Sequence, residues 1–176
     1  MYLWVGCKLP ESYEREIRTH CRKLNEEIGL NTVAFSLPQH ISLKISFPTD
    51  RVEEILEYLS DYLHTQFPFG VQITDLQQTG SILWLYAAEN ETLTHLHQEL
   101  DARLESHFKI PQHTFDRAFQ FHSTLFLDAD TAKVAQMHHA LQDYPFARDL
   151  PIDTFLLGFS ETGKPGTYRI VRQIKV

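Results

Sequence analysis

Two matching tetrapeptides, His40-Ile41-Ser42-Leu43 and His122-Ser123-Thr124-Leu125, lie 122 − 40 = 82 residues apart in this chain. Each combines a histidine, a hydroxyl residue two positions on, and a hydrophobic residue. The bare pattern is a weak signal, because a chain with ten histidines contains about one such pairing by chance. The sequence around the two tetrapeptides therefore decides how they are interpreted.

The same offset of 82 residues aligns much more than the tetrapeptides. The further matches are Thr49 with Thr131, Ile55 with Met137, Leu59 with Leu141, residues 2–5 with 84–87, and Tyr86 with Tyr168. A fixed internal period indicates that one supersecondary unit is used twice. Two such units can pack about a pseudo-twofold axis, which predicts that the two motif histidines face each other across a cleft.

The composition is typical of one globular domain, which we expect to span residues 1–176. Of the 176 residues, 43% are hydrophobic and 22% are charged, enough to bury a substantial core. The first residues are too short and too polar-flanked for a signal peptide, and no apolar run approaches the roughly 18 residues that cross a bilayer. We expect a cytoplasmic monomer without a membrane partner, in which Cys7 and Cys21 are buried, reduced thiols.

Hydrophobic periodicity predicts strands that alternate with helices. Strands are predicted at 2–9, 39–47, 69–76, 81–88, 118–127, 154–159 and 168–175, and helices at 11–28, 51–63, 91–108 and 130–142. Asp50 and Asn90 are predicted to cap the second and third helices. The predicted fold class is α+β: two pseudo-symmetric β-α-β-α-β lobes in one domain, with mainly antiparallel sheets lining a central cleft and helices outside.

His40 and His122 are the predicted catalytic residues. Residues i and i+2 of a strand project from the same face, so His40 lies beside Ser42 and His122 beside Thr124. One imidazole can accept a proton from a nucleophile while the other donates one to a leaving group, in either assignment. The two hydroxyls can donate hydrogen bonds to phosphoryl oxygens. This set suits metal-free phosphodiester chemistry, such as hydrolysis of a 2′,3′-cyclic phosphate or opening or closing of a 2′-5′ linkage.

Lys44 and three aromatic residues are further candidates for substrate binding. Lys44 follows Ser42 by two positions, and it either contacts phosphate or is solvated. Trp4, Tyr86 and Tyr168 occupy alternating positions on one side of their strands, where they either stack on a base or ribose or fill the space between the lobes. The other histidines do not converge with carboxylates or cysteines, so we predict no metal and no cofactor.

The chain resembles the two-histidine (2H) phosphoesterase superfamily, and within it the bacterial RNA 2′,3′-cyclic phosphodiesterase and 2′-5′ RNA ligase-like group. That family carries two H-x-[ST]-h motifs, where h is hydrophobic, and both tetrapeptides match. Residues 3–10 and 37–39 also resemble the family's first strand and the approach to its first motif. Many relatives have an arginine three positions after the threonine of the second motif, where this chain has Leu127.

The residues and the resemblance together predict a metal-independent phosphodiesterase that hydrolyses a 2′,3′-cyclic phosphate or a 2′-5′ phosphodiester in a nucleotide or RNA end. Two alternatives are a non-catalytic nucleotide or RNA-end-binding module, which Leu127 favours, and a phosphodiesterase for cyclic (oligo)nucleotide signals. The net charge of −7 argues against binding of long nucleic acid through its phosphates. A small nucleotide or an RNA-terminal phosphoester remains a suitable substrate.

Overall fold

The computed structural model describes the backbone of residues 1–176 and all side chains except those of residues 117 and 118. The strands are β1 (Tyr2–Lys8), β2 (His40–Pro48), β3 (Phe69–Thr79), β4 (Ile82–Ala87), β5 (His122–Leu127), β6 (Arg148–Ile152), β7 (Thr154–Ser160) and β8 (Arg169–Lys175). The helices are α1 (Glu11–Ile28), α2 (Val52–His64), α3 (Glu91–Phe108) and α4 (Thr131–Leu141). Short 3-10 helices cover Val33–Ser36 and Thr114–Ala118.

Two antiparallel four-stranded sheets form the two lobes, with strand orders β2-β1-β7-β8 and β5-β4-β3-β6. This arrangement, with helices outside, confirms the predicted α+β fold class. The order of elements along the chain does not reveal one feature, an exchange of strands between the lobes. β3 follows the first motif but pairs in the second sheet, whereas β7 and β8 come from the end of the chain and pair in the first. Each sheet therefore contains strands from both halves of the chain.

The observed strands differ most from the sequence prediction at β5 and β6. β5 begins at His122 rather than at residue 118, because Thr114–Ala118 forms a 3-10 helix instead. β6 was not predicted, since it has only five residues and contains Pro151. Proline cannot donate to the hydrogen-bond ladder, and β6 tolerates it because it lies at the edge of its sheet.

Apolar stripes hold the long helices against the sheets. On α1 and α3 the buried apolar side chains recur at the predicted helical spacing; they are Ile17, Cys21 and Ile28 on α1, and Leu93, Leu96, Leu100 and Leu104 on α3. None of the helices that the structure describes is long and apolar enough to cross a membrane. Cys7 and Cys21 are free and buried, as predicted, and burial raises the pKa of both thiols.

One of the two predicted helix caps is confirmed. The Asn90 side chain accepts a hydrogen bond of 3.0 Å from the Leu93 N–H, which confirms it as the cap of α3. The predicted cap of α2 is wrong, because Arg51 rather than Asp50 occupies the N-cap position and provides no side-chain cap. The Arg51 N–H donates to the Thr49 hydroxyl at 3.0 Å, so a turn upstream takes over part of the capping role.

The two lobes are related by two different sequence offsets. β2 and β5 match with the predicted offset of 82 residues, but the strands that pair with them do not. Gly6 lies opposite Ser42 and Trp84 lies opposite Thr124, so β1 and β4 match with an offset of 84 − 6 = 78. The predicted superposition of the two upstream strands is therefore wrong by four residues. Hydrogen-bond register, not sequence similarity, determines which residues are equivalent.

Each motif strand contains a β-bulge at the same place. The extra residue is Leu43 in β2 and Leu125 in β5, which the offset of 82 makes equivalent. A bulge changes which way the following side chains face. Exposure alternates with burial up to each bulge, and Lys44 and Phe126, the next residues, are then buried as well. The bulges thus separate the motif residues, which face outward, from the residues that enter the core.

Candidate active site

The two motif strands meet at the interface between the lobes. β2 and β5 each form one edge of their sheet, and they contact each other. The Ser123 hydroxyl in β5 donates a buried hydrogen bond of 2.6 Å to the side-chain oxygen of Gln39, directly before β2. Because Gln39 adjoins His40 and Ser123 adjoins His122, this bond brings the two motif histidines into one region of the molecule.

Both imidazoles are oriented in the same way. Nδ1 of His40 lies 2.7 Å from the Pro38 carbonyl oxygen, and Nδ1 of His122 lies 2.7 Å from the Gln120 carbonyl oxygen. A carbonyl oxygen only accepts hydrogen bonds, so Nδ1 carries the proton in each neutral ring and Nε2 has a free lone pair. Each ring can therefore accept a proton at Nε2 and, once protonated, donate it from the same atom.

A tryptophan packs on each histidine. Trp4 stacks on His40 with ring centroids 4.4 Å apart, and Trp84 packs on His122 with centroids 4.0 Å apart. The two tryptophans come from non-equivalent positions, because the counterpart of Trp84 in β1 is Gly6. The first lobe therefore supplies its aromatic partner from two residues earlier in the strand.

Two glycines make room for the Trp4 indole. A Cβ atom at Gly158 would lie 2.0 Å from Trp4 Nε1, and one at Gly6 would lie 2.8 Å from Trp4 Cζ3 and 3.3 Å from His40 Cδ2. Trp4 is only 5% exposed. The prediction that Trp4 stacks on substrate is thus corrected: its indole fills the space between the sheet and His40 and holds that ring in place.

Burial lowers the pKa of both imidazoles. Desolvation is the main cause that lowers the pKa of His40, to about 4. The hydrogen bond to Pro38 raises this pKa, and the positive charges of His122 and Arg18 lower it further. Desolvation also lowers the pKa of His122, against the hydrogen bond to Gln120. Both rings are therefore neutral near neutral pH. A phosphoryl group beside them would raise both pKa values, since negative charge favours the protonated form.

Ser42 and Thr124 are placed as the sequence predicts relative to their histidines. Each follows its histidine by two residues, precedes the bulge and is half-buried, while the residues between them are fully buried. The hydroxyls therefore lie on the same side of each strand as the imidazoles. A hydroxyl in this position can donate a hydrogen bond to a phosphoryl oxygen held between the rings.

The prediction that Lys44 shares the face of His40 and Ser42 is wrong. The bulge at Leu43 turns Lys44 to the interior, where it is 1% exposed. Its ammonium group contacts the carboxylates of Asp101, at 2.6 Å, and Asp116. Because both carboxylates already bind this cation inside the core, Lys44 is not placed to bind substrate phosphate.

The structure separates the two candidate tyrosines. Tyr86 lies directly opposite His122 in the register of β4 and β5 and is half-buried, beside the site. The Tyr168 hydroxyl instead hydrogen bonds with the Ser46 hydroxyl and donates to the Gly163 carbonyl oxygen at 3.2 Å. Ser46 is six residues beyond His40, or about 20 Å along an extended strand. The Tyr168 hydroxyl is thus held away from the imidazoles.

Sequence reasoning missed Lys8, which lies directly opposite His40 in the register of β1 and β2. It occupies the position equivalent to Tyr86 in the other lobe, and its ammonium group contacts Glu11 at 2.7 Å. Strand alternation already placed Lys8 on the same side as Trp4 and Gly6. The missing information was the pairing register, which alone shows that this side of Lys8 adjoins the histidine.

Known structures share this architecture across almost the whole chain. The fold is similar to that of E. coli LigT complexed with 3′-AMP (TM-score 0.70, 20% identity, 99% of this chain and 97% of that chain). It is also similar to TT0787 of Thermus thermophilus (TM-score 0.69, 20% identity, 99% and 97%). Usb1 of Kluyveromyces marxianus is more distant (TM-score 0.51, 9% identity, 99% and 97%). No curated protein matches the sequence.

Two antiparallel four-stranded sheets with helices outside form a LigT-like fold, and in this chain each lobe contributes one H-x-[ST]-h motif. The sequence model of the 2′-5′ RNA ligase superfamily matches residues 14–160. The chain therefore belongs to this superfamily of two-histidine phosphoesterases.

Replacing Gly158 by alanine should displace the Trp4 indole and loosen the His40 ring. The new Cβ would lie 2.0 Å from Trp4 Nε1, so we expect a loss of about 1–3 kcal/mol in the free energy of unfolding, as for other overpacked cores. Urea unfolding and the His40 ring signals in NMR spectra measure the two effects. Gly70→Ala is the matched control, because no atom of the described residues, apart from Gly70 and its chain neighbours, lies within 4 Å of its Cβ position; equal behaviour of both variants would contradict the packing argument.

The His40 imidazole should titrate near pH 4, well below the ordinary value of 6.5. Because the folded state disfavours its protonated form, the unfolded state binds more protons between these values. We therefore expect the contribution of His40 to stability to be complete above pH 6.5 and to be lost as the pH falls towards 4. NMR titration of the ring protons tests this value, and a pKa at or above 6.5 in the free protein would disprove it.

Proposed function

We propose that this protein is a metal-independent phosphodiesterase that hydrolyses a 2′,3′-cyclic phosphate or a 2′-5′ phosphodiester in a nucleotide or RNA end. The observation that supports it most is the matching geometry of two imidazoles on contacting strands. In each, Nδ1 is hydrogen bonded to the carbonyl oxygen two residues upstream, Nε2 has no partner among the described residues, and a hydroxyl residue follows two positions on. A protein that only binds a nucleotide has no need for two proton-transfer groups with the same orientation.

The proposed reaction requires one proton to be accepted and one to be donated. A neutral imidazole removes a proton from water as its oxygen attacks phosphorus. The bond from phosphorus to the ribose O2′ or O3′ breaks, and the second, protonated imidazole gives its proton to that leaving oxygen. Ser42 and Thr124 donate hydrogen bonds to the non-bridging oxygens, where negative charge builds up in the transition state. The two rings exchange protonation states in one turnover.

The surroundings of the two rings favour His40 as the base. Burial opposes a proton on both rings, and the positive charge of Arg18 opposes it further on His40 alone, whereas the repulsion between the two rings acts on both. When a bound phosphate raises both pKa values, the single shared proton is therefore more stable on His122. In this assignment His122 is the general acid. The pair titrates as a unit, so rate measurements would give macroscopic pKa values.

A small or terminal phosphoester fits the protein better than a long nucleic acid. The net charge of −7 disfavours binding of a long phosphate backbone. E. coli LigT, whose fold is similar, was crystallised with 3′-AMP. A 2′,3′-cyclic phosphate opened at O2′ gives a 3′-phosphate of this type. We accordingly propose a mononucleotide or RNA 3′ end as substrate, bound by a monomer.

Leu127 supports a second candidate function, that of a nucleotide or RNA-end-binding module without turnover. The superfamily's arginine would lie at this position, at the end of β5, and here the side chain carries no charge. Lys8 offers a replacement cation on the other lobe, opposite His40. Its ion pair with Glu11 is near the surface, where such pairs contribute little, so the ammonium can turn to a bound phosphate.

Replacing His40 or His122 by alanine should abolish most of the turnover. Loss of a general acid or base typically costs on the order of 100-fold or more in rate, and the double variant should be little worse than either single one, because the residues act together. The assay uses 2′,3′-cyclic nucleotides and 2′-5′ dinucleotides in the presence of EDTA, which should not reduce activity.

His139→Ala is the matched control, since this histidine is exposed on α4 and its Nδ1 faces the Gln142 side-chain oxygen at 3.2 Å. If both motif variants fold and still turn over the best substrate at the wild-type rate, the two-histidine mechanism is wrong. If wild-type protein binds these nucleotides but releases no product, the binding module takes its place.

Lys8→Met should weaken substrate binding more than catalysis. A hydrogen bond to a charged group contributes about 1.5–3 kcal/mol, so we expect KM to rise by about 10- to 100-fold while kcat changes little. Lys23→Met removes the same charge from an exposed position on α1 and should leave KM unchanged. Equal effects of the two substitutions would show that only the overall charge matters, and that Lys8 does not contact the phosphate.

A further inference from the structure

A buried charged cluster lies behind β2 and takes no part in the proposed reaction. The Lys44 ammonium contacts Asp101 Oδ1 at 2.6 Å and the carboxylate of Asp116, and these three side chains are 1%, 0% and 0% exposed. His97 is the fourth member, with Nε2 3.7 Å from Asp101 Oδ2, so the prediction that no other histidine meets carboxylates is wrong here. His97, Asp101 and Asp116 could bind a metal by their chemistry, but the Lys44 ammonium already provides a positive charge between the two carboxylates.

His97 links this cluster to the backbone of both motif regions. Its Nδ1 lies 2.7 Å from the Leu43 carbonyl oxygen, and its Nε2 lies 3.2 Å from the Asp116 carbonyl oxygen. Both ring nitrogens thus face backbone oxygen acceptors, one in β2 and one in the segment before β5, so the ring is held between these two segments. Leu43 is the bulge residue of β2, and Asp116 belongs to the 3-10 helix before β5.

The position equivalent to Lys44 in the other lobe is occupied by an apolar residue. Phe126 follows the bulge in β5 as Lys44 does in β2, and it packs on Phe35 with ring centroids 5.1 Å apart. A buried ion pair is often no more stabilising than well-packed apolar residues of similar volume. The core of one lobe thus shows that stability alone does not require charge at this point, and the cluster calls for another explanation.

Two short series of contacts connect the cluster with the two catalytic histidines. On one side, His97 holds the Leu43 carbonyl, one residue after Ser42 and three after His40. On the other side, His97 stacks on Phe119 with centroids 4.4 Å apart and planes 24° apart. Phe119 directly precedes Gln120, whose carbonyl oxygen orients the ring of His122.

We propose that Lys44, His97, Asp101 and Asp116 form a positioning site that fixes the two catalytic histidines relative to each other. The inference rests on the proposed function. The cluster joins the bulge of β2, α3 and the segment that leads into β5 through charged contacts in the core. A charged, hydrogen-bonded contact is directional, whereas the apolar packing at Phe126 allows small shifts. Proton transfer to and from one phosphate is sensitive to such shifts in the positions of the rings.

The test is a charge-balanced double variant, Lys44→Met with Asp101→Leu, which removes one cation and one anion together. It should fold and melt within a few degrees of wild type. Its kcat should nevertheless fall by on the order of 10- to 100-fold, as expected for misplaced catalytic groups. The limbs of the pH–rate profile should also shift, since the surroundings of both imidazoles change. If the double variant does not fold, His97→Gln keeps the ion pairs of Lys44 and should show the same loss of kcat.

Leu63→Ala is the control for stability, because Leu63 is buried on α2 and outside the cluster. It should lower the melting temperature and leave kcat and the pH profile at wild-type values. A folded double variant with the wild-type kcat and pH profile would overturn the proposal and make the cluster purely structural.

Histidine NMR spectra separate this inference from the proposed function. The ring signals of His40 and His122 should move in the double variant and stay in place in Leu63→Ala, whether or not any substrate is turned over. A wild-type protein without activity, together with shifted ring signals in the double variant, would refute the phosphodiesterase proposal alone. Unchanged ring signals together with wild-type turnover would refute the positioning site alone.

Discussion

The β-bulge that follows each motif is the constraint on which the site depends. In a regular strand every second side chain faces the same way, so Lys44 would share the face of His40 and Ser42. The extra residue, Leu43, breaks this alternation. The imidazole and the hydroxyl stay at the interface between the lobes, while the next side chain turns to the core. Leu125 does the same in β5, which is why the two half-sites have the same shape.

Within this symmetric framework the two half-sites differ in the residues around each ring. The aromatic partner of His40 is Trp4, whose indole packs against two glycines. The aromatic partner of His122 is Trp84, which lies directly opposite Thr124 in the neighbouring strand. Behind the strands, one lobe buries a charged cluster where the other buries Phe126. Such differences make the two imidazoles unequal, which gives the single proton that they would share a preferred location.

The protonation of the two buried imidazoles depends on whether an anion occupies the site. Without an anion, desolvation keeps both rings neutral and brings the pKa of His40 to about 4. A phosphoester supplies the negative charge that the site lacks, and it favours protonation of one ring at the moment when an acid is needed. In the proposed reaction, selectivity for anionic phosphoesters would follow from burial together with a small number of donors.

Much of the fold and the central pair could be predicted from the sequence. The 82-residue offset related β2 to β5, and periodicity located the four long helices, because local patterns of burial repeat along the chain.

The residues that support the two histidines were not predicted correctly. Trp4, Lys44 and Tyr168 were all assigned to substrate on the basis of alternation, and Lys8 was overlooked, since alternation assumes a strand without bulges and says nothing about its partner. The sequence by itself determined where the long helices and the motif strands form, that two equivalent motifs exist, and which residue types could carry out proton transfer. Only the tertiary structure decided that β3 and β7 exchange lobes, that Lys8 lies opposite His40, and that Lys44 meets two buried carboxylates. The physical reason is the range of the interactions: helix stripes and strand alternation arise between residues a few positions apart, whereas strand register, bulges and buried ion pairs join residues that become neighbours only when the chain has folded.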